Sequence, residues 1–145
     1  MPRFTVPHFV LASVVRRHPA SSAWDLLGAG YNVAVVADVE FPKRVGPFEL
    51  FTRFVVRRQS LVRVVVVVTH DDAPDGPRRV YRRLHDVICG QPAAPASVVD
   101  TGLKLVNLEL VGTGRYTVRL YGPRPAAWLR RPILAAEYYS ARRAA

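Results

Sequence analysis

Five consecutive valines occupy residues 64–68, inside the most strongly patterned stretch of the chain, residues 47–69. Branching at Cβ stiffens the valine side chain and packs well on a pleated surface, so this run predicts a β-strand. The even-numbered valines share one face of that strand, whereas Val65 and Val67 share the other. Apolar side chains on both faces predict a central strand that is covered on both sides.

The first half of the stretch alternates in the same way. Its even positions are suited to burial, namely Phe48, Leu50, Thr52, Phe54 and Val56. A short polar segment, residues 57–60, separates the two halves. The pattern predicts a β-hairpin over residues 47–69, with an irregular turn because the Asn-Gly signature is absent.

The composition suits one β-rich domain. The chain has 145 residues, half of them hydrophobic, and a formal net charge of +10. Such a charge raises nucleic acid or an anionic surface as a partner. Lysine occurs only at Lys43 and Lys104, however, and the excess of arginine, alanine, valine and proline is typical of a GC-rich bacterial genome. Coding bias is therefore favoured over a dedicated binding surface as the origin of the charge, and the composition alone does not decide between them.

The single cysteine, Cys89, permits no internal disulfide and is expected in the core. No stretch approaches the roughly 20 apolar residues of a membrane helix, so we expect no membrane partner. The first 17 residues form a poor signal peptide, because Pro7 interrupts the apolar region and an arginine pair follows it. We expect a strand there, in a cytoplasmic protein.

Turn signals divide the rest of the chain into short apolar segments. The predicted strands cover residues 4–15, 24–36, the two halves of 47–69, 78–89, 98–111, 115–122 and 133–138. The alternation of residues 115–122 predicts an inward row of Tyr116, Val118 and Leu120 and an outward row of Arg115, Thr117 and Arg119. Residues 78–89 fit strand alternation and a helical face alike, and residues 126–143 also admit a short C-terminal helix. The fold class is therefore all-β, a two-layer antiparallel β-sandwich of about eight strands, immunoglobulin-like or jelly-roll-like.

Two runs resemble a family of uncharacterised bacterial domains. The first is DLLGAGYNVAVVADVEFPKRVGPFELFTRFVV, with its Phe-Pro loop, and the second is VNLELVGTGRYTVRLYG, with Gly114-Arg115-Tyr116 before an alternating strand. The resemblance covers residues 9–134 and implies an immunoglobulin-like sandwich of bacterial origin, in which such a tyrosine pins a corner. The family has no known activity, so it implies no functional residue. Residues 78–83 depart from its pattern.

No catalytic, metal or cofactor motif stands out. His70-Asp71-Asp72 and His85-Asp86 hold ordinary metal ligands, but no metal-binding spacing accompanies them. We expect a solvated turn for the first group and a half-exposed strand for the second. His85 and Cys89 would touch on a helix, but on a strand they lie about 13 Å apart. We therefore expect no metal, no cofactor and no enzyme.

The most pointed functional feature is the basic stretch Arg78, Arg79, Tyr81, Arg82 and Arg83. Arginines interleaved with an aromatic residue suit phosphate contacts and base stacking. On a strand, Arg79, Tyr81 and Arg83 would share one basic face. The alternative is a solvated edge strand, on which charge prevents edge-to-edge pairing.

The sequence favours a non-enzymatic β-sandwich that acts as a binding or structural module. Its expected partners are proteins, including copies of itself, because sheet edges and strands with two apolar faces promote association. The alternative function is nucleic-acid binding through residues 78–83.

Overall fold

The computed structural model describes residues 4–21, 23–29, 33–36, 41–45, 48–57, 61–89, 97–122 and 133–143. These ranges form twelve strands: β1 Phe4–Ala12, β2 Val14–Arg17, β3 Trp24–Leu27, β4 Val33–Val36, β5 Lys43–Val45, β6 Phe48–Val56, β7 Leu61–His70, β8 Arg78–Ile88, β9 Ser97–Leu105, β10 Leu108–Leu110, β11 Gly114–Tyr121 and β12 Ile133–Arg143. The all-β prediction is confirmed. Within the described ranges there is no helix that could span a bilayer.

The strands build two larger sheets and two small ribbons. One larger sheet has the order β1-β6-β9, and the other has the order β4-β12-β11-β7-β8. The ribbons are β2-β3 and β10-β5. All pairs are antiparallel except β12 and β4, which run parallel.

One apolar cluster draws residues from both larger sheets. Its most deeply buried members include Leu50, Phe54 and Val56 of β6, Val62, Val64, Val66 and Val68 of β7, and Tyr116, Val118 and Leu120 of β11. The rings of Phe48 and Tyr139 meet edge to face, with centroids 5.0 Å apart, and this contact joins β6 to β12. The alternation in both halves of residues 47–69 and in residues 115–122 is therefore confirmed as a core-facing row.

The predicted hairpin over residues 47–69 is wrong. β6 pairs with β1 and β9, whereas β7 pairs with β11 and β8, so the two consecutive strands belong to different sheets. Each strand carries its own fully buried row, and two such rows can pack face to face across a core as well as lie side by side. Alternation fixes which side chains are buried, and it leaves the hydrogen-bonding partner open.

The number and limits of the strands also differ from expectation. Residues 4–15 divide at Ser13, whose backbone N–H donates to Leu27 O at 2.8 Å and joins the β2-β3 ribbon. Asn107 has a φ of 59° and ends the alternation predicted for residues 98–111, which leaves Val106 exposed. The helix alternatives are wrong, because 78–88 and 133–143 are strands. Residues 126–132 lie outside the described residues.

Tyr116 pins the connection between β10 and β11. Its hydroxyl donates to Gly112 O at 2.7 Å and accepts the backbone N–H groups of Val111 and Gly112 at 3.1 and 3.2 Å. A tyrosine that bonds to backbone a few residues upstream is a feature of immunoglobulin-like sandwiches. Burial also raises the pKa of this hydroxyl, which keeps it protonated as a donor.

Candidate functional site

The predicted basic stretch lies on β8, at the edge of the five-stranded sheet. Arg78, Arg79, Arg82 and Arg83 are exposed along this strand. Tyr81 is half-buried, and its hydroxyl accepts the backbone N–H of Val106 at 3.3 Å. The strand prediction for this segment is therefore confirmed, and β7 is its hydrogen-bonded neighbour.

A bulge divides these side chains between the two faces of the sheet. Tyr81 lies opposite Val68, but Thr69 lies opposite Arg79, so Val80 is the extra residue. Since directly opposed residues share a face, Tyr81 belongs to the core side and Arg79 to the other side. The single face predicted for Arg79, Tyr81 and Arg83 is therefore wrong.

We call the side of the five-stranded sheet that is opposite the core row the outer face. Arg79 and Arg82 of β8 lie on it, because they oppose Thr69 and Val67. Strand β11 adds Arg115 and Arg119, and Arg119 also opposes Val67. Strand β12 adds Arg142, two positions along the strand from Ser140, which opposes Arg115. The outer face thus collects Arg79, Arg82, Arg115, Arg119 and Arg142.

These five arginines differ from four other arginines of the chain, each of which is bound by a carboxylate. Arg16, Arg44, Arg53 and Arg63 each form an ion pair with an aspartate or glutamate. Among the described residues, no carboxylate pairs with the five guanidinium groups of the outer face. Four of the five are exposed, and Arg119 is half-buried. Sheet spacing places Arg82 and Arg119 about 10 Å apart on either side of Val67.

The acids on this side are already engaged. Asp86 binds Arg63 with Oδ1 2.8 Å from Nε, and this hydrogen bond lowers the pKa of Asp86. Asp71 accepts the hydroxyl of Thr117, and Asp72 accepts the backbone N–H of Arg115 at 2.8 Å. These carboxylates lie at the ends of the sheet, so the row of Arg82, Val67 and Arg119 keeps its positive charge.

One arginine of the outer face is held against an aromatic ring. The Cζ atom of Arg115 lies 3.8 Å from the ring centroid of Tyr138. Tyr138 opposes Thr117, so the two side chains are diagonal neighbours across β11 and β12. Arg115 is exposed, and Tyr138 is 49% exposed. This contact places a guanidinium and an aromatic ring together on the exposed surface of the sheet.

The other end of the outer face carries apolar residues on either side of the Arg63–Asp86 ion pair. Val65 is only 5% exposed, between Tyr121 and Leu84, so the expectation that this side of β7 is covered holds for Val65. Val67 is half-buried. Beyond them Leu61 opposes Ile88, and Ile88 is 81% exposed. The basic rows and this apolar end together give the outer face two different surfaces.

His70 lines a depression of about 530 Å³ at the end of β7, together with Asp72, Arg78 and Phe41. The expected solvated turn is wrong for His70, which is 3% exposed and stacks on Tyr116 with ring centroids 4.4 Å apart. Its Nε2–H donates to Thr113 O at 2.8 Å. The Nδ1 lone pair has no described partner. Burial, stacking and a backbone hydrogen bond are typical of a histidine with a structural role.

The other chemical candidates are separate from one another. His85 is half-buried on β8, and burial, aided by the Arg83 charge, lowers its pKa. Burial raises the pKa of the Cys89 thiol, which disfavours the nucleophilic thiolate. No cluster of three metal-ligating side chains occurs among the described residues. A second depression, of about 420 Å³, contains Arg53, whose guanidinium is bound by Asp100 at 2.7 and 2.9 Å.

Sequence reasoning found Arg79 and Arg82 but missed the arginines of β11 and β12 as their neighbours. The alternation of residues 115–122 did place Arg115 and Arg119 away from the core, and this is confirmed. The missing information was the order of the strands. Only the pairing of β7 with both β8 and β11 brings these positions onto one surface.

The comparisons with known proteins add little. No protein-family model matches the chain, and no curated protein matches it. Among solved structures, the chain is similar to a β-D-glucoside glucohydrolase from Trichoderma reesei, at 12% identity and a TM-score of 0.43. The match covers 95% of this chain and 18% of that enzyme, and at this level it carries no argument. The resemblance to uncharacterised bacterial domains stays a prediction.

Proposed function

We propose that the protein is a non-enzymatic β-sandwich module that binds nucleic acid across the outer face of its five-stranded sheet. One observation carries the proposal: five arginines from three strands share that face, and no described carboxylate pairs with them. Its binding residues are Arg79, Arg82, Arg115, Arg119 and Arg142. Arg78, Tyr81 and Arg83 of the originally expected set lie on the other side of β8.

We propose that the sheets form a two-layer, immunoglobulin-like arrangement, which leaves the outer face open to a ligand. In that arrangement the three-stranded and five-stranded sheets enclose the shared core, and each keeps one side for solvent or a partner. The shared apolar cluster and the Phe48–Tyr139 contact support the layering. The hydroxyl bonds of Tyr116 support the immunoglobulin-like corner.

The electrostatics favour a polyanion over a neutral partner. Like charges on neighbouring positions of a sheet repel one another and destabilise the isolated domain. A phosphate backbone would relieve this repulsion, and release of its counterions would favour binding. Guanidinium groups also suit phosphate geometry, because they donate two parallel hydrogen bonds to its oxygens. This reverses the order in which the sequence ranks the two functions, and it is compatible with a cytoplasmic location.

A pair of charge-matched variants tests the proposal. Arg82→Gln with Arg119→Gln removes two charges from the outer face, on two different strands. Arg78→Gln with Arg83→Gln removes the same charge from the core side of β8. Fluorescence anisotropy with a labelled single-stranded oligonucleotide of about 20 nucleotides, at low salt, measures the affinity of each.

We expect the outer-face pair to bind at least about tenfold more weakly than the unaltered protein, because each lost phosphate contact removes released counterions. The core-side pair should bind within about threefold of it, through loss of net charge alone. Equal weakening by both pairs would show that net charge, and not the outer face, determines binding, and would contradict the proposal. Absence of binding by the unaltered protein would refute nucleic-acid binding.

A second candidate, self-association as a structural module, has an observation of its own. Leu61 and Ile88 are exposed opposite each other at the apolar end of the outer face, and Leu84 is exposed two rows away, beyond the Arg63–Asp86 ion pair. Exposed apolar patches of this kind promote contact between proteins. Sedimentation velocity should then show an oligomer that is insensitive to salt and that Leu84→Gln with Ile88→Gln dissociates. A monomer at all salt concentrations would contradict this candidate.

A further inference from the structure

We infer that the outer face selects single-stranded nucleic acid, and that a base stacks on the Arg115–Tyr138 platform. This inference rests on the proposed function and adds to it the form of the ligand and the residues that choose it. The platform is defined by the two side chains, with Cζ of Arg115 3.8 Å from the ring centroid of Tyr138.

The contact with Tyr138 holds the Arg115 guanidinium over the aromatic ring. A cation at this distance is attracted by the negative face of the ring, and a guanidinium typically stacks flat on such a face. In that geometry one flat face of the guanidinium contacts Tyr138 and the opposite face is available, because Arg115 is exposed. Its N–H donors point outward in the same plane and keep their hydrogen-bonding capacity.

The backbone around Arg115 supports that orientation. Its N–H donates to Asp72 Oδ2 at 2.8 Å, and its carbonyl oxygen accepts the N–H of Asp71 at 2.8 Å. Both bonds tie the start of β11 to the turn after β7. Because the backbone is held on one side and the guanidinium on the other, little conformational entropy remains to be lost on binding.

A flat guanidinium on an aromatic ring is a surface on which nucleobases stack. Proteins that bind single strands combine such stacking with a basic track for the backbone, and the stacking tolerates any base. The neighbouring arginines provide the track. Arg119 lies two rows from Arg115 on β11, about 13 Å away, and Arg82 lies two strands beyond Arg119 on the same row.

A duplex cannot use this platform. Its bases are paired and stacked on one another, so their flat faces are hidden and only their edges are reachable in the grooves. A duplex could still bind the arginines through its phosphates, as every polyanion could. The structure therefore separates two contributions: charge, which all nucleic acids share, and stacking, which needs an unpaired base.

The test compares a single-stranded oligonucleotide of about 20 nucleotides, its duplex, and heparin, a polyanion without bases. Each is titrated with the unaltered protein, with Tyr138→Leu and with Tyr138→Phe, and circular dichroism checks the fold of each variant. Tyr138→Phe keeps the ring, so it controls for the loss of a half-exposed tyrosine.

We expect Tyr138→Leu to weaken single-strand binding about tenfold, because base stacking contributes on that scale. Tyr138→Phe should bind like the unaltered protein, and neither variant should change duplex or heparin binding. Equal affinity for single strand and duplex, unchanged in Tyr138→Leu, would overturn the inference and leave the proposed function standing. Failure to bind any nucleic acid would overturn both.

Discussion

Arg115 and Tyr138 lie on neighbouring strands of the five-stranded sheet, and the guanidinium carbon of Arg115 is 3.8 Å from the centroid of the Tyr138 ring. Each is an outward position of its own strand. Their contact therefore exists only because β11 and β12 pair in the observed register. A shift of one strand by one residue would send only one of the two side chains to the core side and would break the contact.

Replacing Arg115 by lysine keeps the charge and removes the flat guanidinium. We expect Arg115→Lys to bind heparin and duplex as tightly as the unaltered protein, since the positive charge remains. Single-strand affinity should fall by about three- to tenfold, since the ammonium group gives no planar surface for a base. Anisotropy titrations with the three probes measure this, and a parallel fall for all three would contradict stacking on Arg115.

Removing the Tyr116 hydroxyl should destabilise the domain. In Tyr116→Phe the N–H groups of Val111 and Gly112 and the carbonyl of Gly112 lose their partner. Unsatisfied partly buried polar groups cost about 1–3 kcal/mol in the free energy of unfolding. Urea denaturation at an unchanged m-value measures the loss.

The matched control is Tyr121→Phe, at a half-buried position on the outer face of the same strand. No described residue bonds to its hydroxyl, so we expect a change within about 0.5 kcal/mol. Equal effects of the two variants would show that the Tyr116 bonds contribute little to stability.

Two glycines with positive φ should respond differently to a methyl group. Gly114 has a φ of 117°, and an added Cβ would lie 2.7 Å from Cβ of Asp72. Gly76 has a φ of 98° and open space around it. Backbone strain alone costs about 1–3 kcal/mol, so Gly76→Ala should lose that amount and Gly114→Ala clearly more. Thermal denaturation ranks the two, and equal losses would contradict the close approach of Asp72.

Stability should fall in mild acid because of His85. Burial, aided by the Arg83 charge, lowers its pKa in the folded chain below the ordinary value of 6.5. As the pH falls through 6.5, the unfolded chain therefore takes up a proton first, and stability is lost until the pH passes the folded pKa. His85→Gln should lose less stability than the unaltered protein between neutral pH and about pH 5. Urea midpoints that fall equally with pH in His85→Gln and in the unaltered protein would contradict this prediction.

Local alternation predicted burial well. The rows of β7 and β11 were assigned correctly, because a period of two is a property of each strand alone. The predicted pairing of β6 with β7 is wrong. Two strands that each carry a buried row show the same alternation whether they lie in one sheet or in two facing sheets. Neither the polar segment 57–60 nor the valine run distinguishes a tight turn from a crossing between sheets.

The candidate site was predictable in part for the same reason. The alternation of residues 115–122 assigned Arg115 and Arg119 to the side away from the core, yet nothing local indicated that Arg82 would be two strands away. The bulge at Val80 also moved Arg79 from the expected face to the opposite one. A bulge adds one residue to a strand, and no composition signal at Val80 marks it.

The most direct test of the outer face is the salt dependence of single-strand binding. The affinity of the unaltered protein, plotted as log K against log salt concentration, should give a slope of about −3, as about four to five phosphate contacts require. Arg82→Gln with Arg119→Gln should reduce that slope by about 1.4, since two contacts are lost. A slope near zero for the unaltered protein, or one that this pair of substitutions leaves unchanged, would contradict nucleic-acid binding by the outer face.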